Sequence, residues 1–582
     1  MGTISDKLMR IINTKEDIRQ ALISKGYDVP TSIPFKEYAK MILDLPCKVD
    51  SFPDIEGIVA RYSASGLTNE QMAANPVWVD KTGNGHDLQM KNFAWGGMSG
   101  VGGYEMNFNL WTNNVPSIPD ISMSTTTTSV SVSVGNSAYN NNLIYIHKNN
   151  WDVNKNHWLK VASTYEDGDL AFTFYNDKNT KKIELPANGY VNIPAYPEFK
   201  GSYMYISTTS NKQGSFTIEQ LPLYPGALVF DGVDDYGTCD NFPILTKEKG
   251  YTVVALRQWD QDFLNTTLTG GLLSTRNYST GEGVAFEKIE SSNKGYWNLG
   301  AGGIIDFAKS PFTWQTSKQY NNVGILKGDK NHGKPLCVGC GLSGGQQCGR
   351  FAIWELVFLD HDATEEELTK IKDYFVKTYP WLFPDQAWTV VGKTNEDEDR
   401  ATIANITGNG NDLVLSNFGF AEGSGYNEEG EYAGYLVTDG VDDKITSSTF
   451  EMGNDWTVIG DWELINTGKN DNAGIVKFDS IVIYNYNYNS MLINIKNGRN
   501  ILIPDQNTVN AICSDGRIYS KDWKESIYNE EAESTSKNFL TIGYSGNAYT
   551  KIAFKNLAIY PTVLSREDCI KAYNYLQTLK AK

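Results

Sequence analysis

The sequence predicts a mainly β chain, built of antiparallel sheets behind a short helical N-terminus. Three observations predict it. Short alternating apolar stretches are bounded by Gly-Asn-Gly and Asp-Gly turns, as in antiparallel hairpins rather than strand–helix–strand units. A set of motifs occurs twice in the same order. Residues 1–46 instead carry apolar positions at helical spacing. The 582 residues correspond to about four domains at roughly 150 residues each.

Composition narrows the partners. Lys plus Arg number 51 against 69 Asp plus Glu, a net charge of −18. A nucleic-acid or anionic-membrane partner is not expected, because phosphate binding needs clustered positive charge. With 40% hydrophobic and 12% aromatic residues, real cores are expected. No apolar run approaches 18 residues and the first ten lack a signal-like apolar region, so neither membrane insertion nor secretory export is expected. Asp6 stands where a myristoylation site needs Ser or Thr.

The N-terminal segment opens with Ile4, Leu8, Ile11 and Ile12 on one helical face. Thr14 and Asp17 cap a second helix carrying Ile18, Leu22 and Ile23, and Gly26 ends it. Pro34 fits a first helical position before Phe35, Tyr38, Ala39 and Ile42. Three short helices bury little by themselves. Ile4, Leu8, Ile11, Ile18, Leu22, Phe35 and Tyr38 are therefore the expected docking residues toward a partner.

The repeat comes next along the chain. Thr82-Gly-Asn-Gly-His-Asp-Leu88 recurs as Thr407-Gly-Asn-Gly-Asn-Asp-Leu413, each leading into Asn-Phe (Asn92-Phe93, Asn417-Phe418). Asp231-Gly-Val-Asp-Asp-Tyr236 recurs as Asp439-Gly-Val-Asp-Asp-Lys444. The first offset is 407 − 82 = 325 and the second 439 − 231 = 208, so the first copy holds about 117 extra residues. Phe351-Ala-Ile-Trp-Glu-Leu356 matches Ile552-Ala-Phe-Lys-Asn-Leu557 as a closing strand. Thr364-Glu-Glu-Glu367 and Ser565-Arg-Glu-Asp568 then read as helix caps, before apolar faces of Leu368, Ile371 and Phe375, and of Cys569, Ala572 and Leu576. The extra residues, 107–225, hold strands of their own, such as Thr128-Ser-Val-Ser-Val-Ser-Val134, Ala171-Phe-Thr-Phe-Tyr175 and Tyr203-Met-Tyr-Ile206. Their ends must meet, so this is an inserted β domain on a loop of the first copy, serving binding, spacing or a protomer interface.

The ordered motifs, a Gly-Asn-Gly turn, then Asp-Gly-Val-Asp-Asp, then a closing strand with its capped helix, resemble the concanavalin A-like, laminin-G-type jelly roll. The resemblance covers residues 52–106 with 226–384, and 385–582. It implies two two-sheet sandwiches used mainly to bind glycans or proteins. Thr3-Ile-Ser-Asp-Lys-Leu8, with Asn13-Thr-Lys15, Lys25-Gly26, Val29-Pro30, Pro34-Phe35 and Glu37-Tyr38-Ala39, resembles the N-terminal segment of fibre proteins from tailed phages, including the crAss-like group. That resemblance implies a segment fixing a fibre to the virion.

Asp231, Asp234 and Asp235, and again Asp439, Asp442 and Asp443, suit calcium or a carboxylate pair by type. A fold signature repeats more readily than an active site, so turns are the preferred reading and no metal is expected. Glu355, Asp360 and Glu463 do not form the Glu-x-Asp-x-x-Glu-like strand typical of glycosidases on this jelly roll, and Glu396-Asp-Glu-Asp399 reads as a solvated loop. The five histidines (His86, His147, His157, His332, His361) form no HExxH pattern and no serine or cysteine triad. Cys337, Cys340 and Cys348 could ligate zinc, but no second paired element follows; reduced thiols in a Gly-rich β segment are preferred.

Aromatic side chains remain as glycan-stacking candidates. Tyr484, Tyr486 and Tyr488 alternate with asparagines, so a strand would show rings on one face and amides on the other. Trp151 and Trp158, with Trp95 and Trp111 near the entry to the insertion, are the others. The expected protein is thus non-enzymatic: a head or tail fibre on the virion surface, made in the host cytoplasm, without cofactor. It would be a homotrimer, docked on capsid or tail proteins through residues 1–46 and adhering to host-surface or mucosal glycans. The rivals are a glycan depolymerase and a purely structural capsid decoration.

Overall fold

Arg350–Leu359 is a ten-residue strand with no exposed side chain, and the first sandwich is organised around it. Phe351, Ile353, Leu356 and Phe358 enter one core. The step from odd to even numbers marks a register shift opposite Leu256 and Arg257, a β-bulge at Trp354. One edge of the strand pairs with Thr252–Trp259. The other pairs in succession with Leu228–Asp231 and Ile58–Ser63. These lines come from a computed structural model that describes residues 52–581, apart from 114–120, 136–141, 147–150, 154–156, 194–195, 209–211, 246–249, 265, 276–284, 289–293, 298–302, 307–314, 317–335, 343–344, 430–431, 466–473, 478–480, 488–489, 496–498, 505–508, 522, 528–539 and 546–547. The docking positions Ile4, Leu8, Ile11, Ile18, Leu22, Phe35 and Tyr38 lie outside the described residues.

The second copy repeats this plan. Ile552–Tyr560 pairs with Thr457–Leu464 on one edge, and with Tyr435–Val437 and Gln386–Thr389 on the other. Its register shift falls between Asp461 and Trp462, the position equivalent to the first bulge. The opposing sheets also correspond. One runs from Val77–Trp78 through Leu88–Lys91, Tyr236–Cys239, Leu336–Val338 and Gly270–Ser274 to Gly303–Asp306. The other runs in the same order from Thr402–Ile403 through Leu413–Ser416, Lys444–Thr446, Thr541–Ile542 and Gly474–Lys477 to Arg499–Pro504. Each pair of sheets encloses its own apolar core, with Trp78 and Trp259 in the first and Trp388, Trp456 and Trp462 in the second.

The two matched motifs turn out to be halves of one lock. Asn92, at φ 67°, donates from Nδ2 to the Asp234 carbonyl at 3.0 Å. Asn417, at φ 69°, donates to the Asp442 carbonyl at 2.9 Å. Gly232 and Gly440 take φ of +77° and +74° in the Asp-Gly turns, a region glycine enters without steric cost.

Both closing helices are capped as expected. Thr364 and Glu367 form a capping box for Glu365–Thr378. Ser565 accepts from the Asp568 N–H at the start of Arg566–Gln577. Beneath the first helix lies a buried ion pair. Arg61 Nε stands 3.1 Å from Glu355 Oε2, Arg61 Nη2 donates to the Tyr374 hydroxyl at 2.8 Å, and the Tyr379 hydroxyl donates to Glu355 Oε1 at 2.7 Å. Burial pushes the Glu355 carboxyl up, against the pull of Arg61 and its hydroxyl donors. By register, Ala387 and Asn556 occupy the equivalent places in the second copy, so both charges are replaced together there.

The insertion is a third sandwich. One five-stranded sheet runs Thr180–Leu185, Leu170–Tyr175, Tyr203–Thr208, Asn142–Ile146, Trp111–Asn113. The other runs Asn188–Ile193, His157–Ser163, Gly214–Gln220, Ser129–Val134, Ile121–Thr125. Val130, Val132 and Val134 face its core, as their alternation predicts. Its two ends are joined: Leu223 and Tyr224 donate to the Gly103 and Gly102 carbonyls, and Met106 N donates to Gln220 Oε1 at 3.0 Å.

The insertion does not merely hang on its loop. Trp158 packs edge-on against Tyr573 of the C-terminal helix at 5.3 Å, and the Arg566 guanidinium stands 5.8 Å from the Tyr190 ring centre. The first sandwich meets the same helix region. Trp354 lies 6.1 Å from Tyr575, and Gln258 Nε2 donates to Thr578 Oγ1 at 3.0 Å. One helix thus touches three β bodies.

Candidate functional site

Of the candidate tryptophans, Trp151, Trp158 and Trp111 are buried. Trp151 is buried in the core of the insertion, 4.2 Å from the His157 ring and 4.5 Å from Phe172. Trp158 is spent on Tyr573, and Trp111 is buried beside Phe108. Trp95 stacks on Phe93 at 4.7 Å. The buried rings of Trp151, Trp158 and Trp111 cannot meet a sugar, whereas Trp95 is half-buried. Tyr484 and Tyr486 do lie on a strand, Ile481–Asn487, whose register shifts between Asn485 and Asn487. Tyr488 lies outside the described residues.

The acidic triples are turns, with hydrogen bonds to match. Within each triple the carboxylate oxygens lie within 4.8 Å of one another, close enough for a cation by distance. In the first, Asp231 Oδ1 accepts from Val233 N at 2.7 Å and Asp235 Oδ2 from Asp231 N at 3.0 Å. Ser99 Oγ donates to Asp235 Oδ1 at 2.9 Å. The second repeats the backbone bonds at Asp439 and Asp443. Burial, with the neighbouring acids adding to it, pushes the Asp235 carboxyl up to about 7 and Asp443 to about 6.

A stability signature follows. Between pH 5 and 7 folded Asp235 holds its proton while the unfolded residue, with its ordinary value of 3.8, has lost it. This contribution is full below that value and fades as pH rises through 7. Asp235→Asn is expected to flatten the unfolding free energy over pH 5–7 by roughly 2–3 kcal/mol, checked by urea unfolding at both pH values.

The remaining candidate acids and thiols are also engaged. Glu355 belongs to the buried pair with Arg61, and Glu463 pairs with Lys521. Asp360 and Glu367 flank His361 at 3.3 and 3.2 Å. In the acidic loop, Asp397 accepts from the Thr394 N–H and Asp399 pairs with Lys393. His86 packs against Phe242, His157 is buried, and His147 and His332 lie outside the described residues. The cysteine reading needs correction: Cys340 and Cys348 form a disulfide, because adjacent strands set them directly opposite with Cα atoms 4.1 Å apart. Burial pushes the neighbouring Cys337 thiol up to about 12, so it resists becoming a thiolate ligand.

A different aromatic surface is exposed. On the sheet of the insertion that contains Leu170–Tyr175, the residues Phe172, Phe174, Ile144, Ile146, Met204 and Ile206 point into the core. Their alternating neighbours therefore point out. Register sets these in two rows across the strands. One reads Thr112, Tyr145, Tyr205, Thr173, Lys182. The next reads Tyr203, Tyr175, Thr180. Tyr203 and Tyr175 are 54% and 45% exposed, and Tyr145 and Tyr205 half-buried. Ring centres lie 5.7 Å apart for Tyr145–Tyr205, 6.2 Å for Tyr145–Tyr203 and 6.4 Å for Tyr203–Tyr205. Burial and the adjacent tyrosines hold the Tyr205 hydroxyl above its ordinary value, so it remains a neutral donor. Between the strands, the buried Thr173 and Ser207 hydroxyls meet at 3.2 Å. Rings that present an apolar body beside hydroxyl donors suit a ligand that is apolar on one side and hydroxylated at its edge. Sequence reading found two of these strands but not the face, which needs Tyr145 and Tyr175 brought alongside by register.

No family model and no curated protein matches the chain. Among solved structures it overlaps Trypanosoma rangeli sialidase in complex with sialic acid, at 8% identity and a TM-score of 0.23 over 78% of this chain and 83% of that one. It also overlaps the botulinum neurotoxin serotype D binding domain, at 12% identity and TM-score 0.24 over 60% and 89%. The ligand binding domain of the same toxin in complex with N-acetylneuraminic acid gives 11%, 0.23, 58% and 87%. Superpositions this loose say nothing of ligand or chemistry in this chain.

Proposed function

We propose that this is a non-catalytic adhesion protein, a head or tail fibre of a phage virion, which binds glycans through the tyrosine face of its inserted sandwich. The adjoining rows of exposed Tyr203 and Tyr175 and half-buried Tyr145 and Tyr205 carry the reading. They offer ring faces with hydroxyls beside them on a rigid sheet, which binding needs and bond cleavage does not. Glu355 is held in an ion pair with Arg61 and Asp235 in a turn, which supports the non-catalytic reading. Weak contacts of this kind become firm when many copies engage one surface.

In this reading residues 1–46 fix the chain to capsid or tail, three copies assemble, and the sandwiches project from the virion surface. The reading of 1–46 rests on the sequence resemblance. A glycan array probed with the full chain, displayed in many copies, is expected to give carbohydrate signals without release of reducing ends. A blank array at high avidity, or released ends, would contradict the proposal. A map of the intact particle lacking this protein would contradict its virion part.

A further inference from the structure

Resting on that adhesive reading, we infer that the tyrosine face takes an uncharged, extended glycan laid across the strands. Three observations carry this. First, the long row crosses all five strands, from Thr112 to Lys182, with Thr173 alone buried among its members. At about 4.8 Å between strands, its outer members stand roughly 19 Å apart. A single sugar would cover one ring, whereas a chain covers the row.

Second, the face is balanced in charge. Lys182 and Glu184 alternate on the exposed side of the edge strand Thr180–Leu185, and the other outward residues of the two rows are neutral. The whole insertion, residues 107–225, holds 8 Lys against 9 Asp plus Glu, so −17 of the total −18 lies elsewhere. A polyanion would find no cluster of positive charge here and would be repelled by the rest of the molecule. A polycation would be drawn to other surfaces.

Third, the opposite sheet of the insertion is the one that meets the C-terminal helix through Trp158 and Tyr190. The tyrosine sheet is thus the one on the far side of the insertion from that helix, held on a braced body. Little ordering remains to be lost when a chain settles on it.

The test uses the full-length protein against immobilised β-glucan, α-mannan and polygalacturonate of matched length, at 50 and 500 mM salt. Three variants accompany it: Tyr203→Ala with Tyr205→Ala, Tyr203→Phe with Tyr205→Phe, and Tyr175→Ala, whose exposed ring can be lost without opening the core. At least one neutral polymer is expected to bind, with affinity changing less than about twofold between the salts. The double alanine variant should lose about tenfold or more, the phenylalanine variant should stay within a few-fold, and Tyr175→Ala should fall between. Salt-steep binding of polygalacturonate alone would overturn the uncharged class while leaving adhesion standing. Neutral binding indifferent to all three variants would remove the site from this face. No binding by any polymer would overturn both this inference and the adhesive reading.

Discussion

Arg61→Ala is expected to destabilise the first sandwich by about 3–5 kcal/mol, because it leaves the fully buried Glu355 carboxylate without its partner charge. The Tyr379 and Ser63 hydroxyls would remain, but hydroxyls stabilise a buried charge less than a guanidinium does. The second copy supplies the compensating change. Arg61→Ala combined with Glu355→Asn reproduces the Ala387 and Asn556 pairing, and should recover a large part of the loss. Urea unfolding of the two variants checks this. A double variant no more stable than Arg61→Ala alone would show that the pair itself, rather than the stranded charge, decides the cost.

Tyr573→Ala is the second large effect. Its ring is buried between Trp158 of the insertion and Trp523 of the second sandwich, at 5.3 and 5.6 Å. Loss of a buried aromatic costs about 3–5 kcal/mol, and here it also removes the brace between two β bodies. Trp158→Ala separates these effects, since it spares the packing of Tyr573 on Trp523. Both variants should raise hydrogen exchange in Asn188–Ile193 and His157–Ser163, while only Tyr573→Ala should raise it in Ile552–Tyr560. Unchanged exchange in Asn188–Ile193 for both would mean that the helix does not hold the insertion.

How much of this was legible in the sequence depends on distance along the chain. The repeated turns were, because Gly232, Gly440, Asn92 and Asn417 must adopt positive φ and few residues do so at low cost. The closing helices were, because a cap is written within four residues. Partners far apart were not. Asn69 clasps Val101 by both backbone groups, as Asn395 clasps Tyr426, yet these pairs escaped the motif comparison. Arg61 and Glu355 are joined only once the strands pair.

The site shows the same division. Tyr203-Met-Tyr-Ile206 announced a strand with two rings on one side, but alternation cannot say which side meets water. Tyr484 and Tyr486 showed the same period. Trp151 and Trp158 were attractive as large aromatic residues, and that size is what places one in a core and the other in a contact between bodies.

A structure of the full chain crystallised with a neutral β-linked glucose oligomer tests the central claim most directly. The account predicts sugar rings lying over Tyr203, Tyr205 and Tyr145, with hydroxyls within hydrogen-bonding reach of Thr112, Tyr175 or Lys182. Sugar bound instead in a cleft of either repeated sandwich, with the tyrosine face bare, would contradict it.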